Sequence, residues 1–420
     1  MTRHAVCRDN VVWRDGHRFT VQELAERASA ALDAASRTAP CALVATDPLE
    51  LLAGAFSLAE ARRDGMVLPR ERLTPAVRER LASDGFAIVE LPSGQLERDG
   101  TAVAAPGHVH LLTTGSTGEP KLIHHTWESL FTMARLRHPR PACWLMAYQG
   151  GTYAWFQLVT ALLFLPEQGL VLPTAPDPAE MISAAARGGV TAISATPTFW
   201  RLALLQAEPA GIERLARSLQ GITLGGEPVD QSILDQLRTM FPSARLVHIY
   251  ASSEAGASIV VTDGRAGFPV EWLDDERRSP QIRVVDGTLR LRSPHAAIGI
   301  EDWYDTRDIA EIRSGRVHLL GRAGLAVINV GGAKAFAADI ERVILEHPFV
   351  QWCRVRGVRA PLVGQLIAAE VVSTPAHARE SLPEAELGAF CASRLPAHMV
   401  PRMWERLERI PANENWKTEV

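Results

Sequence analysis

Residues 111–121 read LLTTGSTGEPK, and the fold is read outward from this stretch. It follows an apolar run (Val109, Leu111, Leu112) with six small or hydroxylated residues, Thr113, Thr114, Gly115, Ser116, Thr117 and Gly118, and closes on Pro120 and Lys121. Glycines admit tight backbone paths, hydroxyls donate, and lysine brings charge. Such a loop suits polyanionic oxygens, because backbone N–H groups, hydroxyls and an ammonium can converge on one phosphate. The spacing is not GxxxxGK[ST], and no GxGxxG turn is present, so spacing alone leaves phosphate binding evenly matched with a polar surface loop.

The setting is a chain of 420 residues, 47% hydrophobic, which can bury a large core and divide into two or more domains. A formal net charge of -4 spread over many charged residues gives no electrostatic ground for nucleic acid or an anionic membrane as partner. Cys7, Cys41, Cys143, Cys353 and Cys391 are odd in number and form no CxxC pair. That usage predicts reduced thiols and a cytoplasmic protein. No apolar run is long enough to span a bilayer, and the opening MTRHAVCRDN lacks a signal core.

Along the chain, β-rich runs alternate with helical patterns. CALVAT (41–46), FAIVEL (86–91), HVHLLTT (108–114), CWLMAY (143–148), VTAISAT (190–196), GITLGG (221–226) and RLVHIYA (245–251) predict strands; LLAGAFSLAEARRDG and SILDQLRTMF predict helices. This βαβ grammar predicts an α/β fold. After about residue 262, turn-rich segments such as DGTLRLRSP and SGRVHLLGR predict an antiparallel meander. From Asp339 the pattern is helix, strand, strand, helix and a last strand through MWERLERIP, a small α+β unit.

The string LLTTGSTGEPK resembles the phosphate-binding segment of the adenylate-forming superfamily, which includes acyl- and aryl-CoA ligases and peptide-synthetase adenylation domains. Further segments follow in that family's order: GITLGGEPVD (221–230), HIYASSEAG (248–256), WYDTRDIAEI (303–312), LLGRAGLAVINVGGAKAFAADIE (319–341) and ERIPANENWKTEV (408–420). The resemblance covers residues 108–420. It implies a large adenylation domain (1–321) of mixed and parallel sheets with a β-rich subdomain, and a small mobile α+β domain (322–420). The segment ahead of the phosphate loop is short for the family, which implies a trimmed N-terminal subdomain in a monomer or homodimer.

The resemblance also implies roles. Thr113, Thr114, Ser116, Thr117 and Lys121 would hold the ATP β- and γ-phosphates, and Glu254 would coordinate Mg²⁺. Gly225, Gly226, Glu227, Tyr250, Ala251, Ser252 and Ser253 would flank the nucleotide, with Ser253 facing the α-phosphate or the carboxylate. Asp308 would accept from both ribose hydroxyls, with Arg322 beside it. Lys417 would enter the site in the first half-reaction, so the catalytic set is Lys417, Glu254, Thr114 and Lys121. Gly324 would be the hinge, and Gly331, Gly332 and Lys334 would line a tunnel for a phosphopantetheine thiol of CoA or an acyl carrier protein.

Tyr148, Gln149, Gly150, Gly151, Tyr153, Trp155 and Phe156, with Gly225, Gly226 and residues 250–258 (Ser253 among them), would line the acyl pocket. No carboxylate occurs between Gln149 and Leu165, which argues against an ordinary α-amino acid and for an aromatic or medium-sized carboxylic acid. The hinge position Gly324 stands where the family usually has aspartate or lysine, and two further positions and one stretch depart from the pattern. Arg307 and Trp416 stand where the family has glycine, and the stretch MAYQGGTYAWFQ lacks the frequent histidine. The alternatives are a ligase serving an amine or another small nucleophile, and a nucleotide-binding relative without turnover.

Overall fold

The computed structural model describes residues 5–35, 38–114, 120–135, 140–323, 327–360, 364–414 and 416–418. Of the predicted site residues, Ser116, Thr117, Gly324 and the side chain of Thr114 lie outside the described residues. The α/β expectation holds: helices and strands alternate up to Ser252, and the strands assemble into four sheets.

The largest sheet has eight strands. Its order is Gly256–Val261, Arg245–Ser252, Gly221–Gly225, Ala192–Ala195, Ala142–Leu145, Gln168–Val171, Val11–Arg14 and His17–Thr20. All inner pairings are parallel and the two edge pairings antiparallel. A second sheet of six strands carries Cys41–Ala45 and Gly65–Pro69 in parallel and ends in the hairpin His108–Thr114 with Pro120–Thr126. Thr113 pairs with Lys121 and Thr114 with Pro120 at the end of that hairpin, so these flanks of the phosphate-loop sequence are strand residues.

Helices Val21–Ala34, Pro48–Ala61 and Tyr153–Phe164 lie between these sheets, and one apolar cluster joins Leu43, Val67 and Leu111 on one side to Val12, Met146 and Leu170 on the other. Helix starts are written locally. Thr20 and Glu23 form a reciprocal capping box, and Asp47 caps Leu49 ahead of a proline at the first turn. The opposite face of the eight-stranded sheet is covered by Pro178–Arg187, Pro197–Gln206, Pro209–Ser218 and Gln231–Met240.

The predicted meander is the antiparallel sheet Phe268–Pro269, Arg316–Arg322, Tyr304–Arg313, Thr288–Arg292 and Gln281–Val285. The predicted C-terminal unit is also present, with helix Ala337–Ile344, strands Val350–Ala360 and Gly364–Ser373, helix Glu384–Ala392 and strand Met403–Arg406. It packs on the rest of the chain. Trp352, Val372 and Ile410 close over Leu202 of helix Pro197–Gln206, and Arg201 donates to the Gln351 carbonyl (2.8 Å) and to Asp230 (2.6 Å). Among the described residues, no helix is long and apolar enough to cross a membrane.

Candidate active site

The carboxyl ends of parallel strands are where open α/β sheets bind ligands, since connections diverge there and leave a crevice. Here Gly221–Gly225 runs out into Gly226 and Glu227, Ala192–Ala195 into Thr196, and Arg245–Ser252 into Ser253 and Glu254. The phosphate-loop hairpin is tied to this rim by His125. Its Nε2 lies 2.7 Å from the Ser253 carbonyl and its Nδ1 2.9 Å from Ser129 Oγ, so the neutral ring donates to the first and accepts from the second. Burial pushes the His125 pKa down to about 4, which keeps that ring neutral at ordinary pH. Sequence reading missed His125, although its place four residues after Lys121 puts it on the hairpin's return strand.

Asp308 and Arg322 face each other across two antiparallel strands, 3.8 Å apart at their closest charged atoms. Tyr250 donates its hydroxyl to the second Asp308 oxygen. Burial raises the Asp308 carboxyl above the ordinary value, while Tyr250 and Arg322 oppose the shift. Tyr304, also missed, lies within electrostatic reach of Glu254, Arg322 and Asp308. The Glu254 carbonyl accepts from the Ala297 amide at 2.8 Å. The Glu254 carboxylate, within electrostatic reach of Asp308, would suit a hard cation that takes its other oxygens from phosphates and water.

The closing segment reaches the same rim. A Cβ built on Gly226 would stand 3.2 Å from Lys417 Cε and 3.6 Å from its Nζ. Lys417 is exposed overall; desolvation near the rim draws its pKa below the ordinary lysine value, Arg322 adds to that shift, and Glu227 opposes it. Asn413 holds the turn by accepting from the Lys417 amide at 3.1 Å. Trp416 has a left-handed φ of 54°, and its indole stands 6.1 Å from the Phe199 ring. Arg307 is left-handed as well, at φ 60°. Both departures from glycine thus fall where glycine has no steric penalty.

Several predicted residues have other employment. Both Glu227 oxygens are taken by protein donors: Thr418 N and Thr198 Oγ on one, at 2.7 and 3.1 Å, and Thr198 N on the other, at 3.1 Å. Ser252 Oγ accepts from the Ala255 amide. Tyr153 is buried, its hydroxyl accepting from the Ala257 amide at 2.9 Å, and Trp155 and Phe156 lie in the core between the sheets. These three are buried in the core beneath the rim. Tyr148 and Ser194 pair their hydroxyls at 2.9 Å. Gly151 is required by packing, since at φ 74° a Cβ would stand 2.4 Å from the Val67 carbonyl.

The acyl region gains a carboxylate that its own sequence stretch lacks, because Glu414 of the closing segment accepts from Gln149 at 2.7 Å. Lys121 is exposed and pairs with Thr113 in the hairpin register. Ala251 packs on the central core. Gly331 and Gly332, both with positive φ, form the two-residue turn between Val327–Val330 and Ala333–Phe336, and Lys334 is exposed beside them. A turn of that length with two positive φ values demands glycine on its own account.

The profile of the AMP-binding enzyme family matches residues 77–315, and that of the AMP-binding enzyme C-terminal domain matches residues 339–417. The chain belongs to the AMP-binding enzyme family. It is similar to a feruloyl-CoA synthase of an Amycolatopsis species, 25% identical over 337 residues that cover 73% of this chain and 67% of that protein. A 2-succinylbenzoate–CoA ligase of Bacillus licheniformis is likewise 25% identical, over 344 residues, with the same coverage. In fold it is similar to a crystal structure of an anthranilate CoA ligase in complex with anthranoyl-AMP, with a TM-score of 0.72 at 16% identity, covering 98% of this chain and 93% of that one. The activity class of this AMP-binding enzyme is ATP-dependent, AMP-forming ligation of a carboxylic acid.

Proposed function

We propose that this enzyme converts an aromatic or medium-sized carboxylic acid to its acyl adenylate and then passes the acyl group to a phosphopantetheine thiol, of CoA or of a carrier protein. The observation that carries the residue assignments is the meeting at one rim of Lys417, the Gly225–Gly226 segment and the end of strand Arg245–Ser252, whose Tyr250 bonds Asp308. The names of the two curated relatives concern aromatic acids, which supports the acid class.

In the first step a carboxylate oxygen forms a bond to the ATP α-phosphorus, and the bond from that phosphorus to the bridging oxygen breaks, its electron pair leaving with pyrophosphate. Thr113, Thr114, Ser116, Thr117 and Lys121 hold the departing phosphates. Glu254 would hold Mg²⁺, which supplies charge neutralisation between phosphate oxygens. Asp308 and Arg322 fix the ribose, and the backbone of Gly225 and Gly226 flanks the adenine. Lys417 places its ammonium where negative charge grows on the carboxylate and α-phosphate oxygens.

In the second step a thiolate attacks the acyl carbon and AMP leaves with the electrons of the acyl–oxygen bond. Rotation about Gly324 would exchange Lys417 for the face bearing Gly331, Gly332 and Lys334. The test is carboxylate-dependent ATP–pyrophosphate exchange over a panel of aromatic, aliphatic and amino acids, followed by mass spectrometry with CoA and with a carrier protein. Lys417→Ala should abolish exchange and spare transfer from preformed acyl adenylate. Undiminished exchange in that variant would remove the lysine assignment, and exchange restricted to α-amino acids would remove the acid class.

A further inference from the structure

We propose that Glu227 is a positioning residue for the adenylation half-reaction: its carboxylate receives the closing segment and serves as the counter-charge of Lys417. This rests on the assignment of Lys417 above and goes beyond it, because it gives Glu227 a task that touches no nucleotide.

The geometry makes the case in three steps. Glu227 follows the strand end at Gly225 and Gly226 and is fixed by the first turn of helix Pro197–Gln206, whose Thr198 gives it a backbone N–H and a hydroxyl, each at 3.1 Å. Thr196 caps that helix through the Phe199 amide and also donates its hydroxyl to the Trp416 carbonyl. The remaining demand of the Glu227 carboxylate is met by the Thr418 amide at 2.7 Å, and Thr418 Oγ lies 3.2 Å from Thr198 Oγ. Residues 416 and 418 are therefore gripped on both sides of Lys417 by one helix start and one carboxylate. A lysine carried by a short terminal segment is placed by that grip.

The second function of the carboxylate is electrostatic. Lys417 Nζ lies 3.6 Å from where a Cβ on Gly226, next to Glu227, would stand, and the charges that act on it are Glu227 and Arg322, the latter from the end of Arg316–Arg322. Arg322 and desolvation both favour the neutral amine, and Glu227 alone of these favours the ammonium. Without it the lysine would lose its proton at lower pH, and the first half-reaction would lose the charge it uses.

The experiment compares Glu227→Gln and Glu227→Asp with wild type in carboxylate-dependent ATP–pyrophosphate exchange from pH 6 to pH 10, with Lys417→Ala alongside and with acyl transfer from preformed adenylate as a second measurement. Glutamine keeps an acceptor for Thr418 but removes the charge. It should lower maximal exchange roughly tenfold and move the alkaline limb of the profile to lower pH by about one unit or more, with acyl transfer unchanged. Aspartate keeps the charge on a shorter stem, so it should lose rate yet hold the limb near its wild-type position. An unmoved limb in Glu227→Gln, with Lys417→Ala inactive, would overturn the inference and leave the lysine in place. Equal displacement of the limb in both variants would overturn the charge argument, and full exchange in Lys417→Ala would overturn the lysine assignment and this inference together.

Discussion

Trp416 holds a backbone conformation that L side chains resist, one residue before the proposed catalytic lysine, and its substitution separates packing from strain. The indole packs on the Phe199 ring and joins the apolar cluster of Leu202, Trp352, Val372 and Ile410. A tryptophan covers roughly 150–250 Å² when fully buried; for this partly buried ring about 100 Å² is a fair share, worth about 2.5 kcal/mol at 25 cal/mol per Å². Against this stands the left-handed φ of 54°, a cost of about 1–2 kcal/mol that glycine does not carry. Trp416→Gly should therefore weaken docking of the closing segment by about 1 kcal/mol, or roughly fivefold. Trp416→Ala loses the packing and keeps the strain, for about 2.5 kcal/mol, or on the order of 50-fold. The bond from Thr196 to the residue 416 carbonyl survives in both. Single-turnover adenylate formation, divided by transfer from preformed adenylate, should rank wild type above glycine and glycine above alanine. Alanine at or above glycine would refute the reasoning, since strain would then have no part in it.

Two further outcomes follow from the buried groups. Asp308→Asn keeps the shape of the side chain but offers neutral hydrogen bonds to the ribose, and charged ones are worth about 1.5–3 kcal/mol; the KM for ATP should rise roughly 10- to 100-fold, and a rise under about threefold would remove the ribose assignment. His125 is fully buried with a pKa near 4, so between about pH 6.5 and 4 the unfolded chain binds a proton that the folded chain refuses. Stability is then full above about pH 6.5 and falls by about 3 kcal/mol on the way to pH 4. Urea midpoints measured across that window should decline less steeply in His125→Gln, and identical slopes would exclude His125 as a source of the acid sensitivity.

What the sequence made legible was local. The hairpin that carries the phosphate loop, the alternation of helix and strand, the meander and the C-terminal unit all follow from periodicity and turn chemistry within short windows, and the motif order places the rim. Trp155 and Phe156 lie in the core between the sheets, and an apolar helix face looks the same from sequence whether it meets a ligand or a core. Glu227 was readable as part of a glycine-glycine-glutamate segment, but its partner Thr418 lies 191 residues away, and no local pattern announces that pairing. Gln149 and Glu414 meet across 265 residues in the same way. Such contacts depend on how the small domain docks, which is a property of whole surfaces such as Arg201 with Gln351 and Leu202 with Trp352.

Arg307 and Trp416 turn a sequence anomaly into a physical statement. Each replaces glycine at a positive φ, each borders a proposed nucleotide contact (Asp308 and Lys417), and backbone strain of about 1–3 kcal/mol persists only where surrounding structure enforces it. At residue 307 the enforcement is visible in two bonds: the Arg307 amide donates to the Asp305 carboxylate at 2.9 Å, and its carbonyl accepts from the Ala323 amide at 2.8 Å. At residue 416 it is the indole's packing and the Thr196 bond. The first of these sites lies within one sheet and its neighbouring strands, so its strain is held whatever the closing segment does. The second spans the closing segment and the start of helix Pro197–Gln206, so its strain is held by that contact and would be released if the proposed withdrawal of Lys417 broke it. Undocking would therefore recover part of what the indole loses, so a side chain whose packing opposes that movement would, through its strain, also lower the barrier to it.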